Sequence, residues 1–243
     1  MSYQSVFQRY ELKYILTSKQ RQIIAQAIAP YMELDKYGRT TVRNIYYDTD
    51  NFRLVRQSIE KPVYKEKLRI RSYSKATYCS NVFVELKKKY KSVVYKRRIS
   101  LPEKEATNWV ERRCNICKNT QIAREIDYFL DYYENLKPKV FISYGREAYY
   151  AKEDGDFRIT FDDNILARES DLTLTSEAYG TLILPEENLL MEIKCSGGIP
   201  LWMVRILSEN KIYRTTFSKY GTAYKNIILP KILKTYEETN RDA

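Results

Sequence analysis

Apolar and charged residues alternate along this chain, with a period of two, in one segment after another. In "RYELKYIL", residues 9–16, Tyr10, Leu12 and Tyr14 alternate with Arg9, Glu11 and Lys13. Such a strand has one apolar face and one face carrying charges of both signs. "KLRIRSY" sets Lys67, Arg69 and Arg71 opposite Leu68 and Ile70, and "VFVELKKK" sets Glu85, Lys87 and Lys89 opposite Val82, Val84 and Leu86. "VVYKRRI" places Lys96 and Arg98 on one face, "ISYGREAY" Tyr144 and Arg146, "DFRITFDD" Arg158, Thr160 and Asp162, and "LLMEIKC" Glu192 and Lys194. "VRNIYYD" and "GTLIL" read as further strands. Helical spacing takes over in "TSKQRQIIAQAIAPYM", where Ile23, Ile24, Ala27 and Ile28 share a side and Thr17 or Ser18 is the expected N-cap. "TDNFRLVRQSI" predicts a short helix. Residues 103–136 predict a helical stretch with Ile122, Ile126, Phe129 and Leu130 on one stripe, and "LWMVRILSEN" and "SKYGTAYKNIILPKIL" predict helices near the end.

Many antiparallel strands, with helices grouped between and after them, make an α+β fold. The 7 Gly and 7 Pro are spread along the chain and no low-complexity linker or repeat interrupts it, so a single domain over residues 1–243 is expected. The helices need an apolar surface to cover. That need turns the apolar strand faces outward and the charged faces inward, as in a closed barrel wide enough to hold a ligand. A sandwich with one wet face produces the same alternation.

Charge sharpens the picture. Lys and Arg total 42 against 31 acids, a net charge of +11, which points to a polyanionic partner. Two cations about 6 Å apart repel by roughly 3 kcal/mol at an effective dielectric near 20. A ring of them is stable only beside a matching anion. Arg offers planar forks for phosphate oxygens, and Lys offers point charges. The sparse acids then serve to hold a hard divalent cation that bridges phosphate oxygens. On the opening strand, Glu11 belongs to the metal side and Lys13 to the phosphate side.

Absences narrow the chemistry further. The chain has no His, which removes Ser-His-Asp triads, Cys-His dyads and His-ligated metals. The Cys114–Cys117 spacing lacks the second pair a structural zinc site needs, since only Cys79 and Cys195 remain, and reduced thiols are expected. The start "MSYQSVFQRYELKY" is not that of a signal peptide, and no apolar run approaches a membrane span, so a cytoplasmic location without a membrane segment is expected. No nucleic-acid-binding signature is present, and nucleic acid is not an expected partner.

"RYELKY", "KLRIRSY", "VFVELKKK", "YGREAY", "FRITFDDNI", "LLMEIKCSGGIPLW" and "FSKYGTAY" occur in the order expected of a VTC domain. The chain therefore resembles the polyphosphate polymerase domain of the vacuolar transporter chaperone proteins, within the triphosphate tunnel (CYTH-like) superfamily, over nearly its whole length. The resemblance implies a closed antiparallel barrel of about eight strands around a basic tunnel. It implies an enzyme that passes the terminal phosphate of ATP onto polyphosphate, with Mn²⁺ or Mg²⁺. ATP and polyphosphate or other triphosphate anions are the implied partners. Carried over, the catalytic cations are Lys13, Arg69, Arg71, Lys87, Arg146 and Lys219. Lys96, Arg98, Tyr144, Arg158, Lys67 and Arg56 bind substrate, Lys194 stands beside them, and Glu192, Glu11 and Glu85 face the metal. Many superfamily members open with ExExK, whereas this chain has Arg9-x-Glu11-x-Lys13, which argues against a simple tripolyphosphatase. A triphosphate hydrolase, a cyclase or a non-catalytic polyphosphate-binding module are the other readings of the same residues.

Overall fold

The computed structural model describes residues 10–91, 93–116, 119–153 and 156–241; Arg9 and Cys117 lie outside them. The alternating segments become strands: β1 (Tyr10–Thr17), β3 (Thr40–Asp48), β4 (Tyr64–Ser72), β5 (Asn81–Tyr90), β6 (Val93–Pro102), β7 (Lys137–Ala151), β8 (Arg158–Arg168) and β10 (Asn188–Cys195). They form one antiparallel sheet in the order β1-β10-β8-β7-β3-β4-β5-β6. Two short strands join it, β2 (Met32–Leu34) on β7 and β9 (Thr181–Leu182) on β8, giving 10 strands.

The expected closed barrel is corrected here. Among the described residues, β1 and β6 do not pair, so the backbone ladder stays open. The free edge of β1 is instead capped by Thr215, whose amide donates to the Lys13 carbonyl at 2.7 Å.

The helices are α1 (Ser18–Ile28), α2 (Arg53–Ile59), α3 (Glu103–Arg112), α4 (Gln121–Tyr133), α5 (Leu201–Glu209), α6 (Lys219–Ala223) and α7 (Leu229–Arg241), with a π-helical turn at Tyr224–Ile228. Thr17 caps α1 in a reciprocal box with Gln20. The helical stretch expected over residues 103–136 consists of two helices. Arg113 ends α3 in the left-handed conformation, and Thr120 restarts the chain by accepting from the Ala123 amide. Met32, expected at the end of the first helix, begins β2, because α1 stops at Ile28 before Pro30.

Apolar strand faces lie beneath helices, as the pattern requires. Leu68, Ile70, Val84 and Leu86 pack with Trp109 of α3 and Ile126 and Phe129 of α4. Tyr14, Leu16, Met191 and Ile193 pack with Ile24 and Ile28 of α1 and Met203 of α5. A third cluster lies on the concave side, where Tyr220 and Tyr224 meet Val42, Tyr46, Tyr144 and Leu190. There Tyr220 stacks on Tyr46, ring centroids 5.0 Å apart, and its hydroxyl donates to Asp48 at 2.9 Å. Part of the concave face is therefore an apolar plug carried by α6. Among the described residues, no helix is long and apolar enough to cross a membrane.

Candidate functional site

The charged strand faces meet on the concave side, and two buried carboxylates organise them. Glu85 on β5, 1% exposed, is the first. Its Oε2 accepts from Arg69 Nε at 2.9 Å and lies 2.7 Å from Arg69 Nη2. Its Oε1 accepts from Arg98 Nε at 2.8 Å and stands 2.7 Å from Lys96 Nζ. Arg71 Nε is 3.9 Å away. The strand register makes this possible, since Glu85 is directly opposite both Arg69 on β4 and Arg98 on β6. Burial would raise the Glu85 carboxyl, but these cations outweigh it and hold it well below the usual range.

Asp162 on β8 is the second hub and is fully buried. Arg146 grips it with two bonds, Nε to Oδ1 at 2.5 Å and Nη2 to Oδ2 at 2.6 Å. Lys219, carried in by α6, donates to Oδ2 at 2.6 Å. Glu192 on β10 is held more loosely, with Lys194 at 3.1 Å, Lys13 at 3.4 Å, Arg146 at 3.7 Å and Lys219 at 3.9 Å. Lys13 also donates to the Phe217 carbonyl at 2.6 Å. At the seam, Lys87 Nζ donates to Glu11 Oε2 at 2.7 Å.

Tyrosine hydroxyls extend the network. Tyr46 accepts from Arg69, Tyr144 from Arg71 and Tyr73 from Arg98. Asn44 Oδ1 accepts from Arg71 Nε at 2.7 Å. Arg158 lies over the Tyr150 ring, 4.5 Å from its centroid, with Asp35 3.9 Å away.

Lysines feel the crowding most. Among the described residues Lys67 forms no ion pair, and its ammonium donates to the Ser218 hydroxyl at 2.9 Å. Burial, with Lys13, Lys65 and Lys87 nearby, lowers its pKa to about 7. Burial likewise lowers Lys96 and Lys194 to about 8, although Glu85 and Glu192 respectively oppose it.

The structure thus brings Lys13, Lys67, Arg69, Arg71, Lys87, Lys96, Arg98, Tyr144, Arg146, Arg158, Lys219, Glu11, Glu85, Glu192 and Lys194 onto one concave face. Arg56 stands apart: it is exposed on α2, reaches the Asn51 carbonyl, and forms no ion pair among the described residues. Sequence reasoning missed Asp162, although its alternation with Arg158 and Thr160 was the available signal. It also missed Asn44, Tyr46 and Tyr73, whose uncharged side chains carry no such signal, and Ser218. Cys79 and Cys114 are free thiols and exposed, and Cys195 is buried.

The fit of a divalent cation can be judged from these contacts. Among the described residues, no group of three or more His, Cys, Asp or Glu is arranged to hold a metal. Glu85 and Asp162 accept several short bonds from cations. Glu192 has longer contacts, and directly across the strand pair Thr160 Oγ1 is buried with no hydrogen-bond partner among the described residues. A hard cation fits beside Glu192 if phosphate oxygens complete its shell.

The model of the VTC domain family matches residues 8–228. Among solved structures, a provisionally assigned adenylate cyclase from Bacillus halodurans is similar at 16% identity and a TM-score of 0.55, covering 88% of this chain and 95% of that one. Another from Vibrio parahaemolyticus aligns at 11% identity and a TM-score of 0.47, covering 89% and 97%. The first of these shows a shared fold. No curated protein matches the chain.

Proposed function

This chain belongs to the VTC domain family, and we propose that it is an inorganic polyphosphate polymerase, moving the terminal phosphate of ATP onto a growing polyphosphate chain and releasing ADP. One observation carries the reading: the concave face holds more cations than its carboxylates can neutralise. Glu85 alone is shared by Arg69, Arg98 and Lys96, while Lys67 has no carboxylate partner among the described residues. A linear phosphate chain supplies the missing negative charge.

The chemistry requires little proton transfer. An oxygen of the acceptor chain's terminal phosphate is already an anion, so it attacks the γ-phosphorus without a His base. A phosphorus–oxygen bond forms to the acceptor, the bond from γ-phosphorus to the bridging oxygen breaks, and ADP leaves with the electron pair. The protein supplies position and charge. Glu85 serves as the counter-ion that fixes Arg69, Arg98 and Lys96, and Asp162 fixes Arg146 and Lys219, so these donors are aimed before substrate arrives. Lys13 and Lys87 extend the cationic track toward the seam. Mn²⁺ or Mg²⁺, when bound, neutralises charge between phosphate oxygens. Glu192 would hold it, with Glu11 as its diagonal neighbour on β1.

Purified protein incubated with ATP and Mn²⁺ or Mg²⁺, followed by phosphorus NMR and gel electrophoresis, tests this. Long polyphosphate with ADP is the expected product. Free phosphate alone would identify a hydrolase, and a cyclic nucleotide with pyrophosphate a cyclase. Polyphosphate binding without turnover would identify a binding module.

A further inference from the structure

Three tyrosine hydroxyls on the concave face each accept a hydrogen bond from an arginine, and one of them differs from the others. Tyr46 accepts from Arg69 Nη1 at 2.9 Å and Tyr144 from Arg71 Nη2 at 3.0 Å, and both are buried, at 5% and 2% exposure. Tyr73 accepts from Arg98 Nη2 at 2.5 Å but remains 38% exposed, just beyond the end of β4. Two guanidinium groups lie near its ring, that of Arg71 5.9 Å and that of Arg98 5.6 Å from the centroid, with Phe83 in an edge contact at 5.7 Å.

Cations dominate the surroundings of Tyr73. Arg71 of β4, Glu85 of β5, and Lys96 and Arg98 of β6 bear on its phenol; Tyr150 of β7 and Arg158 of β8 interact with it electrostatically. Burial would push the phenol up and Glu85 adds to that, but Arg71, Arg98 and Lys96 outweigh both and bring it down to about 7. These cations leave its oxygen partly ionised at neutral pH. The cations that ionise it are those already assigned to the substrate phosphates.

We propose that Tyr73 is a phosphoryl acceptor: its phenol oxygen takes the γ-phosphate of bound ATP, and the phosphotyrosine starts a new polyphosphate chain. This rests on the polymerase reading above. In the step, a bond forms between Tyr73 Oη and the γ-phosphorus, the bond from γ-phosphorus to the bridging oxygen breaks, and ADP leaves with the electron pair. The phenol proton goes to solvent. The new phosphate presents anionic oxygens, so the next transfer repeats the chemistry of elongation. Arg98 already donates to the Tyr73 oxygen and is placed to hold the phosphate, and the Arg71 guanidinium beside the ring adds positive charge. Tyr46 and Tyr144, locked under the α6 plug, lack the exposure to receive a phosphoryl group.

The full chain, incubated with γ-labelled ATP and Mn²⁺ and no added phosphate chain, is sampled over time and its peptides are mapped by mass spectrometry. Alkali-stable label on Tyr73 is expected before long polymer appears. The label is expected to vanish in Tyr73→Phe and to persist in Tyr78→Phe, whose ring is 68% exposed on the same connection. Tyr73→Phe should also show a lag in polymer formation that added tripolyphosphate removes. Polymer made by the wild-type chain while Tyr73 stays unmodified overturns the proposal and leaves the polymerase reading standing. Label on Tyr73 without polymer keeps the phosphoryl acceptor but overturns its chain-starting role together with the polymerase reading. No consumption of ATP overturns both. The wild-type map decides the matter even if the variant folds poorly.

Discussion

Lys87 Nζ lies 2.7 Å from Glu11 Oε2, so a salt bridge spans the seam that the backbone ladder leaves open. Burial would raise the Glu11 carboxyl, but Lys87 and Lys194 lower it to about 2, against an ordinary 4.5. Because the folded-state value is depressed, the contribution to stability is present above the ordinary value and is lost as pH falls through about 2. Glu11→Gln should therefore lose less stability than wild type on acidification from about pH 5 to about pH 3, read from urea midpoints. Equal acid slopes in the two proteins would show that the seam bridge does not act in folding.

Glu85→Gln removes the one carboxylate shared by Arg69, Arg98 and Lys96. Stranding buried charges in this way costs roughly 3–5 kcal/mol. Tripolyphosphate should restore much of that loss, since it returns negative charge to the same guanidinium groups. Chemical denaturation with and without tripolyphosphate measures both effects. A destabilised variant that tripolyphosphate fails to rescue would mean that the hub is structural only.

Tripolyphosphate should raise the melting temperature of the wild-type protein more than sulfate does at equal ionic strength. A ligand that binds only the folded state adds about 2.7 kcal/mol at a hundredfold excess over Kd. Arg69→Ala and Arg146→Ala should lose most of the shift, and Lys19→Ala, exposed on α1, should keep it. Equal losses in all three would mean diffuse surface attraction.

Glu192→Gln should abolish metal-dependent turnover and leave the fold intact, because its cation contacts are longer than those of Glu85 and Asp162. Circular dichroism checks the fold, and a Mn²⁺ titration of turnover checks the site. Normal turnover with a normal titration would remove Glu192 from the metal role.

Polyphosphate binding should take up protons near neutral pH. Lys67 is brought down to about 7 by burial and by neighbouring lysines, and a bound polyanion reverses the lysine contribution. Above that pH the empty protein carries Lys67 largely neutral, and binding charges it, so affinity should fall as pH rises. Calorimetry in buffers of differing ionisation enthalpy reads the uptake, and Lys67→Met should reduce it. An unchanged proton count in that variant would assign the uptake to Lys96, Lys194 or Tyr73.

The period-two alternation of Lys67, Arg69 and Arg71 against Leu68 and Ile70 determined both the strand and its two faces, because successive side chains on a strand must point to opposite sides. The apolar stripe of Ile126, Phe129 and Leu130 likewise determined which side of α4 would be buried. The basic excess was legible too, as 42 Lys and Arg against 31 acids. Which charge meets which was decided only in the folded sheet. Register sets Glu85 between Arg69 and Arg98, on strands whose order the alternation does not specify. Lys219 and Asp162, 57 positions apart, meet because Tyr220 anchors α6 on the concave side, and no local pattern encodes that distance. The open seam has the same origin. A strand's free edge looks alike in sequence whether it closes a barrel or is capped, and here Thr215 takes the Lys13 carbonyl while Glu11 and Lys87 join across the gap through their side chains.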